Sequence, residues 1–193
     1  MHGQPPLVLD LCCGKGGQAR GAWRAGCSVI GMDIYDMPNF PTHLPGVTFE
    51  RKDVNDLTAA EIKATGADLV IAGPACQPYS GLPVLSGAGS TVPRLINSLH
   101  QVLCESGLPF YIENVVGSKQ HMEATGGHII KMCGCQFGLR VFRARYLCSN
   151  MPLSQELNCD KTSTHRGLCL GANSAMKPWS KGKRHYPGAV RAM

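Results

Sequence analysis

Short apolar runs rich in β-branched residues alternate with helix-like stretches through the first three quarters of this chain. The candidate strands are Leu7–Leu11, Ser28–Met32, Thr48–Arg51, Asp68–Ala72, Phe110–Ile112 and, later, Ala144–Cys148. Helices are expected at about Gly17–Ala25, Ala59–Thr65 and Pro93–Glu105, the last opening with proline in its first turn. Strands separated by helices argue for an α/β fold built on a mostly parallel, twisted sheet with helices on both faces. The Gly- and Ser-rich segment Gly81–Thr91 reads as a mobile loop able to close over a substrate. Beyond Ser149 the periodicity dissolves, and Pro152, Pro178 and Pro187 interrupt what remains.

The chain's 193 residues suit one well-packed domain, which the pattern divides into a folded part over 1–149 and a short tail over 150–193. No apolar run reaches membrane-spanning length, and the first residues lead straight into a strand, so a cytoplasmic protein with no membrane contact is expected. The ten cysteines are then read as reduced thiols. Cys133, Cys135, Cys148, Cys159 and Cys169, with His165, match no zinc-finger or ribbon spacing, and no metal is expected. The formal net charge is +6, and most of the surplus lies after Ser149. There Lys161, Arg166, Lys177, Lys181, Lys183, Arg184 and Arg191 face only Glu156 and Asp160. Such a tail fits contact with a phosphate backbone, or simply a solvated terminus.

Four patterns carry chemistry. In Leu9-Asp10-Leu11-Cys12-Cys13-Gly14-Lys15-Gly16-Gly17 a strand runs through a glycine turn into a helix, which brings main-chain amides close to a ligand. The spacing is not GxGxxG, which weighs against a nicotinamide cofactor. Asp33 ends the next strand, positioned to accept two ribose hydroxyls, and Asp53 follows the third. Each alone is more often a cap, but three acids on successive strand ends point to an adenosyl group. Next, Gly73-Pro74-Ala75-Cys76-Gln77-Pro78-Tyr79-Ser80 sets a cysteine on a proline-stiffened loop directly after a strand. A nucleophile suits that position; taken alone, a buried structural cysteine is the commoner reading. In Tyr111-Ile112-Glu113-Asn114-Val115 a strand delivers Glu113 and Asn114 one strand over from Cys76, where a partly desolvated carboxyl serves a ring nitrogen or merely caps the strand. Finally, Arg143 and Arg145 occupy alternate positions, suited to a carbonyl oxygen or a phosphate if not simply solvated.

From Leu7 to Asn150 these motifs, in this order, resemble the cytosine-5 methyltransferase family, which acts on DNA and, in one branch, on tRNA. The resemblance implies a Rossmann-like class I methyltransferase fold with S-adenosyl-L-methionine as cofactor. The cofactor would be held by Asp10, Leu11, Cys12, Gly14, Gly16, Gly17, Asp33, Ile34, Asp53, Val54 and Pro74. It implies Cys76 as the thiolate that adds to carbon 6 of cytosine and Glu113 as the group on N3. Asn114 would hold the loop, and Arg143 and Arg145 would orient the base. The substrate would be a cytosine in DNA, flipped out or unpaired. Two departures stand out: Ala75 replaces a second proline, loosening the loop, and Val141 replaces the glutamine of the late motif. The stretch after Ser149 is short for a target-recognition region, which leaves room for a compact phage-like member, a truncated chain, or a partner chain that completes recognition.

Overall fold

A computed structural model describes residues 3–80, 92–137 and 143–153. Seven strands form one sheet in the order β3-β2-β1-β4-β5-β7-β6. They are β1 Leu7–Leu11, β2 Ser28–Asp33, β3 Val47–Arg51, β4 Leu69–Ala72, β5 Phe110–Val115, β6 His128–Cys133 and β7 Ala144–Ser149. The pairs β1–β2, β1–β4, β2–β3 and β4–β5 are all parallel. The helices are α1 Gly17–Arg24, α2 Ala59–Ala64, α3 Ile96–Ser106 and α4 Lys119–Glu123. Among the described residues, those up to Ile130 together with the stretch from Tyr146 form one compact unit, and Lys131 to Arg145 belong to a second.

Alternation along the strands explains how the first unit buries both faces of its sheet. Leu9 and Leu11 of β1 and Val70 and Ala72 of β4 point to one side, where they pack with Ile62 of α2, Leu99 and Leu103 of α3 and Met122 of α4. Val8 and Ile71 point to the other, against Ala19 of α1 and Phe40. The α/β expectation with helices on both faces therefore holds. No helix among the described residues is long and apolar enough to cross a membrane.

Local chemistry sets several element ends. Thr58 and Glu61 form a reciprocal capping box at the start of α2, with Glu61 N donating to Thr58 Oγ1 at 3.2 Å and Thr58 N to Glu61 Oε2 at 2.9 Å. Gly107, at φ 70°, ends α3 in the left-handed conformation open to glycine.

Three expectations need correction. The helix expected from Pro93 begins at Ile96, where the first amide is met by a tertiary partner, Tyr79 Oη at 3.1 Å, rather than by a local cap. Strand β5 runs on through Glu113, Asn114 and Val115 instead of stopping at Ile112, because Asn114 finds a buried hydrogen-bond partner that its polarity alone does not announce. Strand β6 and the short helix α4 were not expected; His128, Lys131 and the glycines before them hide the strand's alternation. The segments Gly81–Thr91 and Gly138–Phe142, and the basic tail from Ser154 onward, lie outside the described residues.

Candidate active site

The strand order reverses between β1 and β4, and at such a point an open parallel sheet leaves a crevice at its carboxyl edge. The glycine turn after β1 and the cysteine loop after β4 both open there. In the turn, Cys12, Gly14 and Gly16 all take left-handed backbone conformations, at φ 56°, 51° and 76°. Gly16 has no room for a side chain, since a Cβ there would run into Pro41 and lie 3.0 Å from a Phe40 ring carbon. Gly17, by contrast, faces open space. The turn is clamped from β2: Asp33 Oδ2 accepts the Gly14 amide at 3.0 Å, and Oδ1 accepts that of Tyr35 at 3.1 Å.

Asp10 is the most unusual group of the first unit. It is 0% exposed, and neither carboxyl oxygen meets a hydrogen-bond partner. Burial pushes its pKa up to about 7; the nearby Ala19 amide offsets part of that rise without completing a bond, and the Asp33 charge adds to it. Burial, then the charges of Asp33, Asp10 and Asp53, push the Cys12 thiol up to about 12, and burial with Asp10 and Asp33 raises that of Cys13. Neither thiol is thereby suited to act as a thiolate at neutral pH, which separates them from a nucleophilic role.

The remaining cofactor-side residues divide by how they are used. Asp53 caps the 3-10 turn Val54–Asp56, with its Oδ1 accepting both the backbone and side-chain N–H of Asn55 at 2.9 Å. Ile34 is 46% exposed beside Asp33, offering an apolar surface, while its carbonyl accepts Arg51 Nε at 3.0 Å. Leu11 and Val54 are buried in the core, so they bring main chain rather than side chain to the crevice. Leu11 in addition accepts the Gly73 amide at 3.0 Å.

On the other side of the crevice, Cys76 is exposed and caps the 3-10 turn Gln77–Tyr79. Its carbonyl accepts the amides of Tyr79 and Ser80, both at 3.0 Å, which turns the chain sharply and leaves the thiol outward. Three contacts hold this loop. Asn114 Nδ2 on neighbouring β5 donates to Pro74 O at 2.9 Å, and Asn114 Oδ1 accepts the Val115 amide at 2.8 Å. Tyr79, 6% exposed, reaches α3 through its hydroxyl and stacks edge-on with His121 at 5.0 Å. Gly117 lies so close to the Tyr79 carbonyl that no side chain fits between them. The looseness expected from Ala75 is thus countered from outside the loop. Sequence reasoning missed the parts played by Tyr79 and Gly117; the usable signal was a glycine two residues after the Glu113-Asn114-Val115 strand.

Glu113 alternates with Asn114 on β5 and so points to the opposite face, half-buried on the side of Tyr111. Burial, then the charges of Asp10 and Glu113, push the Tyr111 hydroxyl up to about 12. Arg143 and Arg145 belong to the second unit, where Arg143 is exposed and Arg145 is half-buried with Nη1 donating to Ala144 O at 2.9 Å. Among the described residues no group of three His, Cys, Asp or Glu side chains is placed to hold a metal. Cys159, His165 and Cys169 lie outside them.

A family model described as C-5 cytosine-specific DNA methylase matches residues 7–134. No curated protein sequence matches the chain. Among solved structures, that of S. pombe Dnmt2 methyltransferase is similar at 21% identity, over 79% of this chain and 51% of that one, with a TM-score of 0.54. Entamoeba histolytica methyltransferase EhMeth is similar at 18% identity, over 82% of this chain and 58% of that one, with a TM-score of 0.58. Spodoptera frugiperda DNMT2, in a mutant form, is similar at 18% identity, over 79% of this chain and 53% of that one, with a TM-score of 0.53. The chain therefore spans only between 51% and 58% of these structures, which share its Rossmann-like class I methyltransferase fold.

Proposed function

The chain belongs to the C-5 cytosine-specific DNA methylase family, and from that premise we propose that it transfers a methyl group from S-adenosyl-L-methionine to carbon 5 of a cytosine in DNA. The observation that carries this reading is the placement of Cys76. Its thiol is exposed on a loop pinned by Asn114, across a parallel-strand crevice from a glycine turn lined with acids.

The residues present fit the cofactor. The left-handed turn at Cys12, Gly14 and Gly16 opens main chain to a ligand, and Asp33 and Asp53 keep acceptor capacity for hydroxyl and amine hydrogens. Ile34 provides an apolar face for a flat ring. The unpartnered Asp10 carboxyl, its pKa raised to about 7 by burial, supplies negative charge behind the turn once it ionises, as a cationic ligand would favour. When bound, S-adenosylmethionine supplies an electrophilic methyl group on sulfur.

The protein's part is to make carbon 5 nucleophilic. Cys76 as thiolate forms a bond to carbon 6, and the ring electrons move toward carbon 5 while Glu113 protonates or hydrogen-bonds N3. The adduct is resolved when a base removes the proton on carbon 5, the bond to Cys76 breaks to release it as thiolate, and N3 returns its proton to Glu113, which restores the aromatic ring. Arg145 would bond the base at O2, Arg143 would help to orient it, and Asn114 keeps the loop in place. A cytosine inside a duplex must leave the stack to reach Cys76, so the substrate is flipped or unpaired. Lysines and arginines of the tail would meet phosphates, and binding should weaken as salt rises. A partner chain would add contacts to the DNA around the target cytosine.

The test is covalent trapping on DNA containing 5-fluorocytosine, in which the fluorine blocks removal of a proton from carbon 5. A Cys76-linked complex that forms only with cofactor present supports the reading; its absence from protein that binds cofactor one-to-one would leave a binding module. Methyl incorporation into DNA and into tRNA, measured side by side, decides the substrate, and incorporation into tRNA alone would overturn DNA.

A further inference from the structure

Gln18 occupies the second position of α1, directly after the glycine turn, and its side chain lies across the carboxyl end of β4. A Cβ built on Gly73 would sit 2.7 Å from Gln18 Nε2 and 3.9 Å from the carbonyl of Cys12. Gly73 also donates its amide to Leu11 O at 3.0 Å, so the Gln18 amide rests over the junction of β1 and β4. That junction is where the strand order reverses. The glycine at position 73 is what admits it.

The other end of the same amide is unusual. Gln18 Oε1 is buried and accepts no hydrogen bond, a state it shares among the described residues only with the two carboxyl oxygens of Asp10. Buried oxygens without donors are uncommon in folded proteins, and each asks for an explanation. Asp10 lies in β1 and Gln18 at the start of the helix that follows, and all three orphaned atoms are oxygens. An unpaired amide oxygen such as Gln18 Oε1 suits a ligand that brings an N–H or O–H donor, such as the ammonium of a bound amino acid moiety.

We infer that Gln18 is a positioning residue that couples cofactor binding to the Cys76 loop. The inference rests on the cofactor reading above. A cofactor donor on Oε1 fixes the side-chain amide, and the fixed Nε2 end then braces Gly73, the first residue of Gly73-Pro74-Ala75-Cys76. Pro74 and the Asn114 bond to its carbonyl carry that constraint toward the thiol. Without the donor the amide is free to turn, and the loop keeps only its braces from Asn114, Gly117 and the Tyr79 contacts with α3 and His121.

The experiment compares the unmutated chain with Gln18→Met, which keeps length and removes both polar atoms, and with Gly73→Ala, whose methyl displaces Nε2. Two quantities are read: the affinity for S-adenosylhomocysteine by calorimetry, and the rate of Cys76 alkylation by iodoacetamide, by peptide mass spectrometry, with and without saturating S-adenosylhomocysteine. The unmutated chain should show an alkylation rate that changes at least several-fold on saturation. Gln18→Met should bind about tenfold more weakly, the worth of one hydrogen bond, and its alkylation rate should hardly respond at saturation. Gly73→Ala should also lose the response. A response retained in full by both variants at saturation means that the bound molecule merely shields Cys76, and overturns the coupling. An unmutated chain whose Cys76 ignores bound S-adenosylhomocysteine overturns it as well. If the unmutated chain binds none, the cofactor reading itself fails and takes the inference with it, a result that calorimetry separates from the others.

Discussion

The side-chain amide of Asn114 reaches from β5 to the carbonyl of Pro74 on the neighbouring loop, a 2.9 Å bond made by a residue only 2% exposed. It ties the loop that carries Cys76 to the strand that carries Glu113. Asn114→Ala should leave the Pro74 carbonyl buried without its donor, at a cost of about 1–3 kcal/mol. Thermal unfolding should show the loss, and Cys76 alkylation should become faster as the loop loosens. An unchanged alkylation rate would mean that the loop is held elsewhere.

Tyr79 Oη stands where a capping side chain would normally meet the first amide of α3. Removing only that oxygen, in Tyr79→Phe, should cost about 1 kcal/mol while the ring keeps its contact with His121. Hydrogen exchange should speed up at Ile96 and nearby amides. Equal exchange in both proteins would show that the hydroxyl does not cap the helix.

Gly117 faces the main-chain carbonyl of Tyr79 with no space for a methyl group. Main chain cannot give way as a flexible side chain does, so Gly117→Ala should displace the Gln77–Tyr79 turn. We expect a lower unfolding midpoint together with weaker methyl transfer. Gly17→Ala, at a position with open space around it, is the matched control and should leave the unfolding midpoint within a degree or two of the original.

Asp10, with its pKa raised to about 7 from an ordinary value near 3.8, makes stability depend on pH in an uncommon direction. Between those values the folded protein holds the proton that the unfolded chain has released, so the Asp10 contribution favours folding at low pH and declines as pH rises from about 4 to about 7. At about 1.4 kcal/mol per unit, the change is a few kcal/mol. Asp10→Asn should remove this slope, and should be the more stable protein at pH 8. Affinity for S-adenosylhomocysteine should run the other way in the unmutated chain, strengthening as Asp10 ionises. Parallel pH profiles of melting for the two proteins would overturn the assignment.

Much of the fold was legible because it follows from periodicity. The run at Leu69–Ala72 is apolar on both sides, and Leu7–Leu11 is so but for Asp10, as strands covered on two faces must be. The start of α3 was not legible, because its cap comes from Tyr79, far away in the chain. Strand β6 was missed for a related reason: its residues are mostly half-exposed, and His128 and Lys131 break the apolar run.

The sequence by itself determined the chemistry available to this protein: a thiol after β4, acids on successive strand ends and glycines in a tight turn, all placed by spacing along one chain. Tertiary structure decided what holds them. That Asn114 secures Pro74, that Tyr79 and Gly117 meet behind Cys76, and that Gln18 lies over Gly73 depend on contacts between segments distant in the chain. Their physical basis is burial, which turns a polar side chain from a solvated group into one that must find a partner, and local spacing carries no record of which partner that will be.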